Sequence, residues 1–125
     1  MTLNEYQDAA QAVSTWAPGG EKSIAYYTLK LNGEAGEVAE LVGKAWRGDY
    51  GPIDVHAPGA IESILAATHE DKLVRELGDV LWYVQKIASK INVDLETVAT
   101  ENLRKLQARV DRKAAGLDPK EGEGR

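Results

Sequence analysis

Apolar residues recur at helical spacing in four segments of the chain. Leu3, Tyr6, Ala10 and Val13 mark a first helix over 2–13, and Thr2 with Glu5 has the spacing of a capping box. Ala17-Pro18-Gly19-Gly20 breaks it. A second helix is predicted over 21–46, with Ile24, Tyr27, Leu31, Val38, Leu41, Val42 and Ala45 on one face, and Gly48 where a terminating glycine belongs. The pattern then fails. Residues 48–68 hold Gly51-Pro52 and Pro58-Gly59 and read as a long loop, with one short helix over 60–67. Loops this long are uncommon in compact domains and often functional. A third helix is predicted over 70–91, its core face formed by Leu73, Leu77, Val80, Leu81, Val84, Ile87 and Ile91. Asn92-Val93-Asp94 makes a short turn in which Asp94 is a good N-cap. A fourth helix follows over 95–115, with Val98, Leu103, Leu106 and Val110 inward. The polar tail 116–125 is expected to fray. The pattern has no clear strand and no internal repeat. The expected fold is all-α, a four-helix-bundle-like core of antiparallel helices with one long loop, in a single domain over 1–115.

Some acids interrupt this pattern. On a wheel of about 100° per residue, Glu34 falls inside the apolar arc of the second helix and Glu37 lies roughly 60° to one side. The third helix repeats the arrangement with Glu76 at the arc's edge and Asp79 beside it. If the two helices pack antiparallel, four carboxylates converge near one point. Four such groups do not stay charged together without a cation, and oxygen donors on rigid helices suit Mg²⁺ or Mn²⁺. Gly33, Gly36 and Gly78 lie among these acids. Mid-helix glycine is unfavourable, so these three point to close backbone approach or to room for a ligand. Taken singly, acids three residues apart on a helix are usually just solvated; two pairs, both displaced inward, are less easily explained that way. A di-iron site is disfavoured, because neither His56 nor His69 follows a glutamate by three residues. Both histidines read as loop residues.

On the fourth helix Asn102, Lys105, Arg109 and Arg112 form a stripe beside the apolar face. Alone it reads as a solvated basic face, paired with Glu101 and Asp111. Beside a carboxylate cluster it suggests a ligand that is anionic and also holds metal, such as a nucleoside triphosphate with Mg²⁺. Lys44, Arg47 and Lys72 sit near the ends of the acidic helices and are further phosphate-binding candidates. Trp16, Trp46 and Trp82 are candidates for stacking on a base, and Trp82 projects away from the main apolar arc, as a residue of a subunit contact would.

Composition narrows the chemistry. The 125 residues include no cysteine, which excludes disulfides, thiolate metal sites and thiol catalysis. A net charge of -5 opposes stable nucleic-acid binding through phosphates. No apolar run approaches the length of a membrane span, and the N-terminus lacks the basic region of a secretory signal. A cytoplasmic protein is expected. No phosphate loop of the G-x-x-x-x-G-K-[ST] kind is present, which disfavours motor or kinase-type chemistry.

Glu34-Ala-Gly-Glu37 and Glu76-Leu-Gly-Asp79, with Asn-Leu-x-Lys-Leu at 102–106 downstream, resemble the signature of the MazG-like all-α nucleoside triphosphate pyrophosphohydrolases. The likeness covers roughly residues 3–113. It implies Mg²⁺-dependent hydrolysis of an NTP or dNTP to the monophosphate and pyrophosphate by metal-activated water. It also implies metal binding by Glu34, Glu37, Glu76 and Asp79, with Glu37 or Glu34 as the assisting base. Asn102 and Lys105 would bind phosphates, with Arg109 as an extension and Lys44 as a further contact. A homodimer or homotetramer is implied, its site completed near a subunit interface. The chain departs from the pattern in its spacer: 38 residues separate Glu37 from Glu76. The excess lies in the 48–68 segment, expected to act as a lid or to lengthen a dimer contact. Two rivals stand beside this reading: a specialised nucleotide pyrophosphatase acting on dUTP, dCTP or phosphoribosyl-ATP, and a non-catalytic helical interaction module.

Overall fold

The computed structural model describes residues 1–15 and 19–123. The breaker residues Ala17 and Pro18, and Trp16 with its stacking role, lie outside the described residues. The chain forms α1 (Leu3–Ser14), α2 (Ile24–Trp46), α3 (Ala60–Thr68), α4 (Glu70–Lys90) and α5 (Leu95–Ala114), and the described residues contain no strand. The all-α expectation holds, and none of these helices is long and apolar enough to cross a membrane.

The helix starts follow local chemistry. Thr2 and Glu5 close the capping box at α1, the Thr2 hydroxyl accepting from the Glu5 amide and the Glu5 carboxylate accepting from the Thr2 amide. Asp94 accepts from the Thr97 amide at 2.7 Å, which holds its carboxyl below the usual range. The second helix begins at Ile24 rather than at 21, because the Ser23 side chain caps it. Glu21 and Lys22 therefore precede the helix, and the Lys22 amide donates to the Tyr27 hydroxyl at 2.9 Å.

The most extensive packing in the molecule is between α2 and α4. Tyr27 lies beside Tyr83 and Lys86, while Glu34 lies beside Glu76 and Asp79, so these helices run antiparallel. α3 lies against both, and α1 bridges α4 and α5. The α1–α5 junction is polar: Gln7 accepts from the Leu95 amide and donates to Ser89 and to the Val93 carbonyl.

The core differs from the periodic expectation. Its buried apolar residues are Ala10, Tyr27, Leu41, Ala45, Leu65, Ala88 and Leu95. Of the α4 residues assigned to a core face, Leu77, Leu81 and Ile91 are exposed, while Gln85 and Lys86 are almost completely covered. On α5, Val98, Leu103, Leu106 and Val110 are all exposed in the single chain, with Leu103 at 67%. Periodicity marks which face is apolar; it does not say whether the covering surface belongs to the same chain.

Lys86 is 2% exposed and carries the polar centre of the fold. Its ammonium donates to Gln11, Ser14 and Glu21, joining α1, the segment before α2, and α4. It also lies 5.1 Å from the centre of the Tyr27 ring and 5.7 Å from that of Trp82. The Tyr27 hydroxyl donates to Glu21 at 2.8 Å, and Lys90 reaches the same carboxylate at 3.4 Å. Burial pushes the Glu21 carboxyl up, but hydrogen bonds from Lys86 and Tyr27 and the charges of Lys86 and Lys90 outweigh it, bringing it down to about 2.

The pair is asymmetric, because Lys86 is buried while the Glu21 side chain is half exposed. Glu21→Ala strands a buried cation and is expected to cost about 3 kcal/mol. Lys86→Met returns Glu21 to water and is expected to cost about 1 kcal/mol or less, both read from urea unfolding at neutral pH. The depressed Glu21 value also fixes a pH window. The stability difference between wild type and Glu21→Gln is expected to be fully present above about pH 4.5 and lost as the pH falls towards 2.

Candidate functional site

The antiparallel α2–α4 pair brings Glu34, Glu76 and Asp79 together. One carboxylate oxygen from each lies within 4.8 Å of the other two. Glu34 and Glu76 are half-buried and Asp79 is exposed, so the cluster opens to solvent along one side. Each residue is held by an uninterrupted α-helix. Glu76 and Asp79 are three apart and share a face, and Glu34 meets them from the facing helix. Two unit charges at about 4 Å repel by ~1 kcal/mol in water and several times that at reduced dielectric. Lys30, one turn before Glu34, approaches its carboxylate at 4.0 Å and offsets part of this.

Two tyrosines flank the acids. Tyr6 reaches the cluster from α1, where burial and then the Asp79 carboxylate push its hydroxyl up. Tyr83, one turn beyond Asp79, is raised by burial and by Tyr26, Glu34 and Asp79, with Lys30 opposing. Sequence reasoning passed over Tyr6 and Lys30 as site residues. Lys30 was legible from its i, i+4 spacing to Glu34. Tyr6 was not, because nothing in the sequence says that α1 approaches α4 here.

The glycines among the acids answer a question the sequence left open. A Cβ placed on Gly33, Gly36 or Gly78 meets nothing within 4 Å. Close backbone packing is therefore not their role, and open space lies over them.

Glu37 stands outside the three-carboxylate group, one turn past Glu34 and exposed. Asn102 lines an apolar cleft with Leu3, Leu81, Val84, Leu95, Val98 and Ala99. Lys105 and Arg109 lie further along α5; Arg109 is held by Glu123 in a two-pronged ion pair, with N–O distances of 2.7 and 2.9 Å from Nε. Lys44 pairs with Glu40 at 3.1 Å, one turn back on α2, and that hydrogen bond holds its ammonium above the usual lysine range. His56 lies in the loop. His69, between α3 and α4, stacks on Tyr50 with ring centres 3.7 Å apart, and its Nδ1 lies 2.8 Å from the Thr68 hydroxyl. Neither histidine belongs to the carboxylate group.

Around Lys86, Tyr26, Tyr27, Trp82 and Tyr83 wall a cleft of about 130 Å³ whose polar lining includes Ser14, Lys22 and Lys86. Trp82 is only partly exposed and contributes to this wall.

The donor set is all oxygen, with no imidazole or thiolate. Such a set fits a hard divalent cation, Mg²⁺ or Mn²⁺. Glu34, Glu76 and Asp79 would hold it, and what they hold would in turn bind an oxyanion.

Comparison with known proteins agrees with this architecture. Residues 22–113 match the model of the MazG nucleotide pyrophosphohydrolase domain, and the match takes in all four acids. The Gene 37 protein of Mycobacterium phage L5 is 36% identical over 116 residues, covering 90% of this chain and 91% of that protein. The crystal structure of a Bacillus-conserved MazG protein, titled a nucleotide pyrophosphohydrolase, superposes with a TM-score of 0.58 at 24% identity, covering 85% of this chain and 89% of that one. Matched over most of its length, the chain belongs to the MazG nucleotide pyrophosphohydrolase family.

Proposed function

We propose that this chain is a Mg²⁺-dependent nucleoside triphosphate pyrophosphohydrolase, cleaving an NTP or dNTP to the monophosphate and pyrophosphate. The observation that carries the reading is the convergence of Glu34, Glu76 and Asp79 from two antiparallel helices onto one point. A divalent cation there supplies neutralisation of the triphosphate charge and polarisation of water, and Mn²⁺ can serve in its place. Glu37 is the better placed of the two candidate bases. It lies one turn from Glu34 yet outside the three-carboxylate group, which leaves its carboxylate to take the proton from the attacking water. Asn102, Lys105 and Arg109 bind phosphate oxygens, and Lys44 adds charge at the far end of α2. Tyr26, Trp82 and Tyr83, which wall the cleft over Lys86, offer the base a stacking surface.

A homodimer or homotetramer is part of the proposal. The single chain exposes 8777 Å², against about 6,600 Å² for a compact monomer of its mass. Apolar side chains exposed in the single chain include Val74 and Leu77 on α4 and Leu103 and Val110 on α5. A second copy against this face covers them and gives the outer half of α5 a partner.

Incubation with the eight common NTPs and dNTPs, and with phosphoribosyl-ATP and dUTP, is expected to yield monophosphate and pyrophosphate, resolved by ion-exchange chromatography. The products should vanish with EDTA and in Glu76→Gln and Asp79→Asn, with losses of about 10³-fold or more. Nucleoside diphosphate and orthophosphate would mean that the wrong bond has been assigned. A metal-free variant tests the cluster independently of turnover. Removing one of three crowded charges, Glu76→Gln should melt no lower than wild type without Mg²⁺. Wild type alone should gain stability on Mg²⁺ addition, about 2.7 kcal/mol at a hundredfold excess over the dissociation constant.

A further inference from the structure

Residues 117–123 are largely exposed but turn back on α5. Gly116, at φ +74°, ends α5, and the Leu117 amide turns back to the Arg112 carbonyl at 2.9 Å. The Asp118 side chain accepts from the Lys120 amide at 2.9 Å, and Gly122, at φ +81°, turns the chain again. These turns lay the tail back along the last two turns of α5. Glu123 accepts from both Nε and a terminal nitrogen of Arg109, and Glu121 accepts from Arg112 at 2.9 Å. The Arg112 Nε donates to the Asp118 carbonyl at 2.7 Å. The Arg109 hydrogen bond, then the charges of Arg109, Lys105 and Lys120, hold the Glu123 carboxyl below its usual range. The Arg109 guanidinium is thus held by a carboxylate of the same chain, and that of Arg112 by a carboxylate and a backbone carbonyl.

A guanidinium fork accepts a carboxylate and a phosphate in the same planar, two-pronged manner. We infer that the acidic tail is a tethered competitor for the phosphate-binding stripe, occupying Arg109 and Arg112 until the triphosphate displaces it. This rests on the proposed role of Arg109 in binding substrate phosphate. Residues 117–123 join α5 directly, so the carboxylates are presented at high effective concentration, and each nucleotide must release them. Competition of this kind raises KM and leaves the chemical step alone, because the tail is gone from the site once substrate is bound.

The test compares the full chain with a chain ending at Gly116 and with Glu121→Gln/Glu123→Gln, with the best nucleotide and Mg²⁺. Both variants are expected to lower KM by about threefold to tenfold, the scale of two partly exposed carboxylate–guanidinium pairs, with kcat unchanged. Gly122→Ala leaves every carboxylate in place and meets no neighbour, but strains a left-handed position, and should lower KM in the same direction. A readout independent of turnover comes from the tail itself: tryptic cleavage after Lys120 should accelerate when inorganic pyrophosphate is added to the full chain. Unchanged KM in the shortened chain, while Arg109→Gln still raises KM, would overturn the tail's role and leave the phosphate assignment standing. No effect of Arg109→Gln on KM would overturn both.

Discussion

The antiparallel pairing of α2 with α4 is the constraint on which the rest of the molecule depends. It holds three carboxylates within 4.8 Å where like charges repel. The fold pays for that crowding once, through helix packing elsewhere along the pair. Tyr27, Leu41 and Ala45 on α2 are buried, and Ala88 is buried on α4. These contacts lie to either side of Glu34, so the acids are carried by a frame that does not need them. Such an arrangement suits a metal site: the ligands are positioned before any cation arrives, and little ordering remains to be done on binding.

The same helix pair carries a second charged centre of opposite logic. At the end near Tyr27, the buried Lys86 is satisfied by Gln11, Ser14 and Glu21. There the charges are balanced internally and fasten α1 to α4. At the carboxylate end they are left unbalanced: among the described residues, Lys30 near Glu34 is the one cation in ion-pair range of the three acids. Tyr83 stands between, its ring 6.3 Å from Tyr27 and its hydroxyl influenced by Glu34 and Asp79. The two charge clusters thus differ in whether the protein supplies its own counter-ions.

Most of the fold was legible because helix boundaries are written locally. Thr2 and Asp94 cap where capping chemistry predicts, while Ser23 moves the start of α2 from 21 to 24; the acids at 34, 76 and 79 converge because helical spacing and antiparallel packing leave them little choice. The parts that were not legible depend on long-range contacts. Nothing in the 70–91 pattern distinguishes Lys86, a basic residue that turns out buried, from the exposed Lys90, since Lys86 is decided by partners on α1 and before α2. The exposure of Leu103 and Val110 was likewise hidden, as a hydrophobic face does not name what covers it. Glu37 shares its helix with Glu34, yet its place one turn further along and roughly 60° round leaves it outside the cluster. The glycines at 33, 36 and 78 stand out in the sequence, but helix packing decides between open space and close approach, and it leaves open space.

The most direct test of the account is electron–nuclear double resonance of Mn²⁺ bound to the protein with a non-hydrolysable triphosphate analogue. The account predicts one or more tightly held ions with phosphorus hyperfine coupling in wild type, and loss of that bound signal in Glu76→Gln and Asp79→Asn. Mn²⁺ that binds equally well in both variants, or that shows no coupling to the nucleotide's phosphorus, would contradict the assignment of the α2–α4 carboxylates as the centre that holds the substrate.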